Sequence, residues 1–179
     1  KSSDASTVVA LAEAWADQAK KAGKTDEKHA LLLGLNGLLT ALLEKKDAAG
    51  LEGLSKLADP KGSLVKLSHE DANEDTRVFG YTAIGTLLML LPDAGAQANL
   101  VPELSKPFTD KKAPDRTRLA VLTRFAEFTP TACVKGGAAP AWLGGLLDKV
   151  VPLLSLAATK PVHRIQSLLA WATCGAASV

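Results

Sequence analysis

The stretch DANEDTRVFGYTAIGTLLMLL at residues 71–91 decides the fold that we predict for this chain. It begins with a charged turn, places a basic residue at the start of a helix, and continues as a mostly apolar run of about four helical turns. The stretches DKKAPDRTRLAVLTRFAEF at 110–128 and KPVHRIQSLLAWATC at 160–174 have the same layout. The basic residues that lead the three helices are Arg77, Arg118 and Arg164, at intervals of 41 and 46 residues. This period predicts an array of stacked helix pairs.

Composition favours helices over strands. The chain has 179 residues, of which 47% are hydrophobic and only 4% aromatic. A chain of this length can form one domain that buries roughly 70% of its unfolded surface. Because Ala and Leu are strong helix formers, we predict an all-α fold with a core of small and aliphatic side chains.

Charge, cysteine content and hydropathy narrow the class of protein. The formal net charge is +2, from 21 basic and 19 acidic residues that are interspersed along the chain, so no polyelectrolyte partner is required. Two cysteines, Cys133 and Cys174, do not form a disulfide framework in a chain of this size, which favours a reducing compartment. Apolar runs such as Leu87–Leu91 are far shorter than the roughly 18 residues of a membrane span. We therefore predict an intracellular protein, in the cytoplasm or an organellar lumen.

The helical patterns predict a single domain over residues 1–179 with about four helix pairs. The pairs lie roughly at 4–46, 48–91, 94–128 and 140–174. In the first pair, helices over Ser6–Ala22 and Asp26–Lys46 flank Gly23. The first of these helices has a predicted apolar face of Val8, Leu11, Ala12, Trp15 and Ala19. Later, we predict helices over Ala48–Ala58, Ala94–Phe108 and Pro114–Phe128, with a loop at Gly136–Pro140.

Two sets of residues have predicted packing roles. Helical spacing predicts burial of Leu35, Leu39, Ile84, Leu88, Leu122, Phe125, Leu154, Ile165 and Leu169. Four glycines, Gly34, Gly37, Gly80 and Gly85, lie inside predicted helices, where each costs about 1 kcal/mol relative to Ala. We expect each of them to permit the close approach of a neighbouring helix.

The residues of the third pair resemble a HEAT repeat. In that family the first helix carries a Pro, the turn an Asp eight residues later, and the second helix an Arg six residues after that; here these are Pro102, Asp110 and Arg116. The fourth pair is similar at Pro152 and Arg164, although its turn is shorter and Lys160 replaces the Asp. The resemblance covers about residues 48–174. Armadillo-type repeats and the helical arm of PCI-domain subunits have related helix pairs and remain alternatives.

The HEAT resemblance carries further expectations about architecture. It implies a right-handed α–α superhelix in which the second helices line the concave side. It also implies that the turn Asp and the Arg of neighbouring repeats form a polar ladder. Asp71 and Arg77 show the same spacing of six. We therefore expect Arg116 or Arg118 to join Asp71 or Asp110 in such a ladder.

Residues that could act as metal ligands, nucleophiles or general bases are scattered along the sequence. His29, His69 and His163 lack a second ligand at metal-binding spacing, apart from His69-Glu70-Asp71, which we interpret as a solvated helix start. The Gly136-Gly137 and Gly144-Gly145 pairs lack the strand and the Lys-Ser or Lys-Thr of a phosphate-binding loop. Neither cysteine has a His nearby in sequence, so we interpret both as core residues. The sequence thus indicates neither an enzyme nor a cofactor or metal site.

A basic cluster near residues 106–124 is the strongest candidate for a binding site. Its members are Lys106, Lys111, Lys112, Arg116, Arg118 and Arg124, and Trp171 is a further candidate contact. One interpretation is that these side chains are solvated charges around a turn, with one Arg in the polar ladder. The other is that they form a basic ridge that binds an acidic protein segment or nucleic acid. Few aromatic side chains lie near it, which favours a protein partner.

From these features we predict a noncatalytic protein–protein interaction scaffold, a HEAT-type subunit or domain of a larger assembly. Its partners would be other protein subunits or further repeats of the same chain. A nucleic-acid-binding helical-repeat protein is the alternative. The chain begins at Lys1 without an initiator Met and ends on a weakly polar run to Val179, which suggests a piece of a longer protein. We expect the apolar helix at 160–174 to be an interface and the N-terminal hairpin to be a polar, capped end.

Overall fold

The structure of this protein is a computed structural model that describes residues 2–45, 51–91, 94–110 and 112–136, together with Gly144, Gly145 and Asp148. The helices are α1 (Ser2–Lys21), α2 (Thr25–Lys45), a 3₁₀ helix (Leu51–Lys56), α3 (Ser63–Glu70), α4 (Glu74–Leu90), α5 (Ala94–Thr109) and α6 (Asp115–Gly136). No strand occurs within these ranges. The predicted all-α fold is therefore confirmed for the part of the chain that is described.

Three elements differ from their predicted form. The segment predicted as an α-helix over Ala48–Ala58 is a 3₁₀ helix at Leu51–Lys56. Its leucines recur every third residue, which is the 3₁₀ period, and Leu54 and Leu57 are buried. Helix α3 is a separate helix of eight residues within the predicted second pair, for which the sequence analysis gave no bounds. Helix α6 continues to Gly136, beyond the predicted end at Phe128.

The chain divides into two compact units, Lys1–Leu104 and Ser105–Val179. In the first unit, α1 and α2 form an antiparallel hairpin in which the Trp15 ring lies over Gly34. A second hairpin, α3 and α4, packs beside it. The most extensive helix contacts join α1 with α2, α3 with α4, α2 with α4, and α1 with α3.

The two hairpins pack with equivalent helices parallel. Contacts between α1 and α3 run from Asp17–Ser63 to Lys20–Glu70, so residue numbers rise together along both helices. Contacts of α2 with the second hairpin rise in the same way, from Lys28–Asp71 to Asn36–Phe79. The first unit thus has two layers, one of α1 and α3 and the other of α2 and α4.

The predicted core is confirmed wherever the structure describes it. Leu35, Leu39, Ile84, Leu88, Leu122 and Phe125 are all buried. The other predicted core residues, Leu154, Ile165 and Leu169, lie outside the described residues, as does most of the predicted fourth helix pair.

The buried face of α1 is rotated from the predicted one. It consists of Val9, Ala12, Ala16 and Ala19, while Leu11 is 39% exposed and Trp15 is half-buried. Helix α1 contacts α2, α3 and the 3₁₀ helix. Small alanines at the centre of this three-way contact let the helix axes approach closely, and the larger side chains lie at its edge.

Close helix approach explains two of the four interior glycines. A Cβ atom at Gly80 would collide with Oγ of Ser68 and lie 3.2 Å from its Cα, and one at Gly34 would lie 3.2 Å from the Trp15 ring. Among the described residues, a Cβ at Gly37 would meet no atom within 4 Å apart from the backbone of its own helix. In this part of the chain the expected close approach at Gly37 is not found.

Helix α4 begins with a specific cap. The side chain of Asn73 accepts a hydrogen bond from the Thr76 backbone N at 3.0 Å. Glu74 and Asp75 follow in the first turn, where negative charge is favourable to the helix dipole. Asn73 suits this position because its side chain reaches the free N–H groups of the first turn.

Candidate interaction surfaces

An uncharged, exposed stripe on α2 is the most unusual surface of the first unit. From Ala30 to Leu43 this helix carries no charged residue. Five residues of this segment are nevertheless exposed: Ala30, Leu33, Gly37, Thr40 and Ala41. We call these five residues the α2 outer stripe. Leu33 is its largest side chain and is 53% exposed.

Comparison with α4 shows why this exposure is unusual. Helix α4 and its C-cap residue are likewise uncharged from Val78 to Leu91, but none of these residues is exposed. A helix that is apolar on all sides is normally covered on all sides. Helix α4 follows this rule and α2 does not, so part of the apolar surface of α2 remains in water.

Helix α1 extends this surface. Ala10, Leu11 and Ala14 are exposed on α1, and Leu11 lies one turn before Trp15, whose ring packs on α2 at Gly34. Among the described residues, the exposed large hydrophobic side chains are Leu11 and Leu33. We refer to the α2 outer stripe together with these three α1 residues as the hairpin face.

The hairpin face contradicts the expectation of a polar N-terminal cap. The charges that suggested it, such as Lys20, Lys21 and Lys24, lie at the α1–α2 turn. The middle of both helices is left apolar and exposed. The number of charged residues in the hairpin did not reveal this exposed apolar surface. Charges near the ends of the two helices say nothing about the side chains along their middle.

A polar network that the sequence did not indicate lies around His69. Its Nδ1 is 2.6 Å from the Tyr81 hydroxyl oxygen, and its Nε2 is 2.8 Å from Oε2 of Glu103. The His69 and Glu103 side chains are only 17% and 12% exposed. His69 is therefore not the solvated helix start that we predicted. Its partners, Tyr81 and Glu103, lie on α4 and α5. They are too far from His69 in the sequence for a local pattern to indicate the contact.

The His69 network is better suited to structure than to chemistry. Tyr81 is only 3% exposed, so its hydroxyl group cannot reach a substrate. Buried polar groups that satisfy one another fix the register of the elements that carry them. This network accordingly joins α3, α4 and the first part of α5.

A second polar cluster joins the two hairpins at Asp71. Lys28 Nζ lies 2.6 Å from the Asp71 carboxylate, whose side chain is 7% exposed. The carboxylate also accepts a hydrogen bond from the Asn73 backbone N at 2.9 Å. Burial by itself would raise the pKa of Asp71, but these hydrogen bonds and the charges of Lys28 and Arg77 outweigh it and hold the pKa below its usual value.

The basic cluster is only partly available for binding. Lys106, Lys112 and Arg116 are exposed. Arg124 makes a bidentate pair with Glu127, with both N···O distances at 2.9 Å. Two predicted contact residues, Lys111 and Trp171, lie outside the described residues.

Arg118 has a different role from the one expected. It donates from Nε to the Pro107 carbonyl oxygen at 3.1 Å and from Nη2 to the Asp110 carbonyl oxygen at 2.7 Å. These acceptors belong to the end of α5 and the turn that follows it. Arg118 thus closes its own hairpin. Asp71, the other expected ladder residue, pairs with Lys28 rather than with an arginine of a neighbouring repeat.

A surface cleft of about 190 Å³ lies between α1, the 3₁₀ helix and α3. In its lining, Ser63 Oγ donates to Asp17 at 2.5 Å, and Lys56 Nζ lies 3.9 Å from Glu13. Within the ranges that the structure covers, no group of three His, Cys, Asp or Glu residues could hold a metal ion. In the same ranges, none of the helices combines the length and hydrophobicity needed to cross a bilayer.

Comparison with protein-family models, with curated proteins and with solved structures finds no match to this chain. Inferences about function therefore depend on the geometry of the hairpins and of their exposed surfaces.

Proposed function

We propose that this protein is a noncatalytic interaction scaffold built from stacked helix hairpins of the HEAT type, and that it contacts other proteins through the hairpin face. The observation that carries the proposal is the apolar exposure of α2. The helix is uncharged from Ala30 to Leu43 and is covered on one side only. Apolar side chains left exposed along one face of a helix are a common feature of contact sites on folded proteins.

The layered packing of the first unit supports the stacked-hairpin part of the proposal. In a closed up-and-down bundle, consecutive helices are neighbours around a ring, and the fourth returns to the first. The extensive contacts here instead join α1 with α3 and α2 with α4, each pair parallel. This adjacency is the one expected when one helix hairpin stacks on the next as a repeat.

The polar contacts between the hairpins support the same interpretation. The Lys28–Asp71 pair connects the start of α2 to the turn before α4. Lys20 and Glu70 lie 3.3 Å apart at the corresponding ends of α1 and α3. The first two hairpins are thus joined near their turns. The Asp71 position is also the one that resembles the turn Asp of a HEAT repeat.

The alternative, binding of nucleic acid through the ridge at 106–124, is supported by the exposure of Lys106, Lys112 and Arg116. It is weakened because Arg118 donates to a backbone carbonyl oxygen and Arg124 pairs with Glu127. Salt dependence separates the two functions. A site that contacts six to ten phosphates loses roughly 10³-fold or more in affinity between about 50 and 200 mM salt. An apolar protein contact loses much less.

The test is affinity capture with cross-linking from the source cells, with the wild-type chain and the Leu33→Glu variant as baits. We expect proteins that the wild type retains at about 200 mM salt to be lost with Leu33→Glu. The matched control is Lys66→Glu, a charge change at an exposed position on α3, which should retain them. Equal capture by all three baits, or capture limited to salt-sensitive nucleic acid, would contradict the proposal.

A further inference from the structure

We infer that the His69 network makes the attachment of α5 depend on pH, and that protonation of the His69 ring holds residues 94–104 more tightly against the α3–α4 hairpin. The inference concerns the attachment of one helix and does not depend on what the hairpin face binds. It is carried by a carboxylate at one ring nitrogen, a phenol at the other, and the low exposure of all three side chains.

The Glu103 carboxylate determines which nitrogen of the neutral His69 ring carries the hydrogen. Oε2 of Glu103 lies 2.8 Å from Nε2, and an ionised carboxylate can only accept hydrogen bonds. Nε2 is therefore the donor. Nδ1 of the neutral ring then has a free lone pair, and the Tyr81 hydroxyl group at 2.6 Å donates to it. Both nitrogens of neutral His69 are thus hydrogen-bonded.

Protonation of the ring changes both of these contacts. Nδ1 gains a hydrogen and donates to the Tyr81 oxygen, so the direction of that hydrogen bond reverses. At Nε2, a hydrogen bond from a neutral ring becomes an ion pair with Glu103, which adds the attraction between two opposite charges. Because both side chains are largely buried, water screens this attraction only weakly. The contact between α3 and α5 is therefore stronger when His69 is charged.

The charge of the pair gives the direction of the pH dependence. With the proton on His69, the His69–Glu103 pair has no net charge. Without it, the pair carries one negative charge in a largely buried place, and burying a net charge is the costlier arrangement. When α5 is detached, both side chains reach water and this difference disappears. The attached state therefore binds the proton more tightly, and by linkage a fall in pH through the range in which imidazoles titrate favours attachment.

Charged side chains on the other elements near α3 have contacts of their own. These contacts join Lys20 of α1 to Glu70, Lys28 of α2 to Asp71, and Arg77 of α4 to the carbonyl oxygen of Asp71. Lys66 of α3 and Lys106 of α5 are exposed. Within the described ranges, Tyr81 and Glu103 hydrogen-bond directly to the ring. We therefore assign the pH dependence to the His69 network.

The first experiment measures amide hydrogen exchange in the whole 179-residue chain by NMR, at about pH 5.5 and about pH 7.5, on either side of the ordinary titration of imidazole. Rates are converted to protection factors, which removes the intrinsic dependence of exchange on pH. Protection of Leu100, Val101 and Leu104, buried residues of α5, should fall about fivefold at the higher pH, the ratio between an ordinary and a charged hydrogen bond. Leu35 and Leu39 of α2 are the internal reference and should change less.

Three variants test whether the response comes from the His69 network. His69→Gln cannot take up a proton in this range and should abolish the change in α5 protection. Glu103→Gln should abolish or reverse it, because burial without the carboxylate disfavours the charged ring. The matched control is His29→Gln. His29 lies on α2 and contacts the Thr76 hydroxyl group and the Phe79 ring, so this variant should keep the wild-type response.

The second experiment follows the Tyr81 hydroxyl group in the wild type and does not depend on the folding of any variant. Tyr81 is the single tyrosine of the chain, so the Raman bands of the tyrosine ring report on it alone. The intensity ratio of the tyrosine Fermi doublet depends on whether the hydroxyl group donates or accepts a hydrogen bond. We expect the ratio to change from that of a donor at about pH 7.5 toward that of an acceptor at about pH 5.5.

Each outcome decides for or against the inference. Equal protection of α5 at the two pH values, an unchanged doublet, or the same response in His69→Gln as in the wild type overturns it. A response that is present in the wild type and in His29→Gln and absent from His69→Gln supports it. Neither measurement involves a partner protein. Failure of this inference therefore leaves the proposed function in place, and a chain that responds to pH but captures no protein contradicts only the proposed function.

Discussion

Lys28 Nζ lies 2.6 Å from Oδ2 of Asp71, and this ion pair joins α2 to the turn between α3 and α4. The Asp71 side chain is almost fully buried, and its backbone carbonyl oxygen accepts a hydrogen bond from Arg77 Nη1 at 2.6 Å. One residue thus receives contacts from the first hairpin through its side chain and from α4 through its main chain. Asp71 therefore ties the two hairpins together at their turns.

Removing the Lys28 charge should destabilise the first unit. Hydrogen bonds to charged groups contribute about 1.5–3 kcal/mol, and a buried partner left unpaired increases the loss. We expect Lys28→Met to lower the free energy of unfolding by about 1–3 kcal/mol in urea titrations. The exposed Lys20–Glu70 pair is the control, and Lys20→Met should cost less than about 1 kcal/mol. Equal losses in the two variants would show that the Lys28–Asp71 contact has no special role.

Stability should depend on pH through Asp71. Its pKa is lowered in the folded protein below the ordinary value of 3.8. The unfolded chain therefore binds the proton more readily, and the Asp71 contribution is present above pH 3.8 and lost as pH falls through the folded-state pKa. Other carboxylates also titrate here, so the measurement is the difference between wild type and Asp71→Asn. We expect this difference to shrink as pH falls below 3.8, and a difference constant with pH would contradict the assignment.

Gly80→Ala should be destabilising although Ala is the better helix former. The new Cβ would collide with Oγ of Ser68 and lie 3.2 Å from its Cα, so rotating the hydroxyl group away would still leave a tight contact with backbone. Overpacking of this kind costs about 1–3 kcal/mol. Gly37→Ala is the matched control, because its Cβ meets no neighbouring element among the described residues. It should be neutral or stabilising by up to about 1 kcal/mol.

Truncation of a buried and of an exposed leucine of α2 should change the stability of the protein by very different amounts. Leu39 is fully buried and Leu33 is 53% exposed. Leu39→Ala should lower the free energy of unfolding by about 2–5 kcal/mol because it leaves a cavity. Leu33→Ala should change it by less than about 0.5 kcal/mol at high dilution. A similar loss for both would mean that the helix is rotated from the arrangement described.

The second unit offers a test at Arg118. Its guanidinium group reaches two carbonyl oxygens, those of Pro107 and Asp110, which a lysine cannot satisfy with the same geometry. We expect Arg118→Lys to lose about 0.5–1.5 kcal/mol, the contribution of one ordinary hydrogen bond. Thermal unfolding of this variant beside Lys112→Met, a change at an exposed turn residue, provides the comparison. Unchanged stability in Arg118→Lys would remove the proposed closing role.

Sequence pattern predicted the core better than the surfaces. Leu35, Leu39, Ile84 and Leu88 were identified from helical period alone, because a long apolar stripe has to be buried wherever its helix packs. The face of α1 was misassigned toward Leu11, because three neighbouring elements rather than one determine which of its residues are covered. The exposed α2 outer stripe was not predicted for a related reason: charges are visible in a sequence, whereas an exposed apolar stripe looks the same as a buried one.

The sequence by itself determined the helical class, the order of the helices and most of the core, since these follow from local propensity and from spacing along one helix. Only the tertiary structure decided which side chains of different helices are in contact. It placed His69 between Tyr81 and Glu103, paired Asp71 with Lys28, and left Leu33 more than half exposed. These outcomes depend on contacts between residues far apart in the chain, and no local pattern records which helix faces meet and which remain in water.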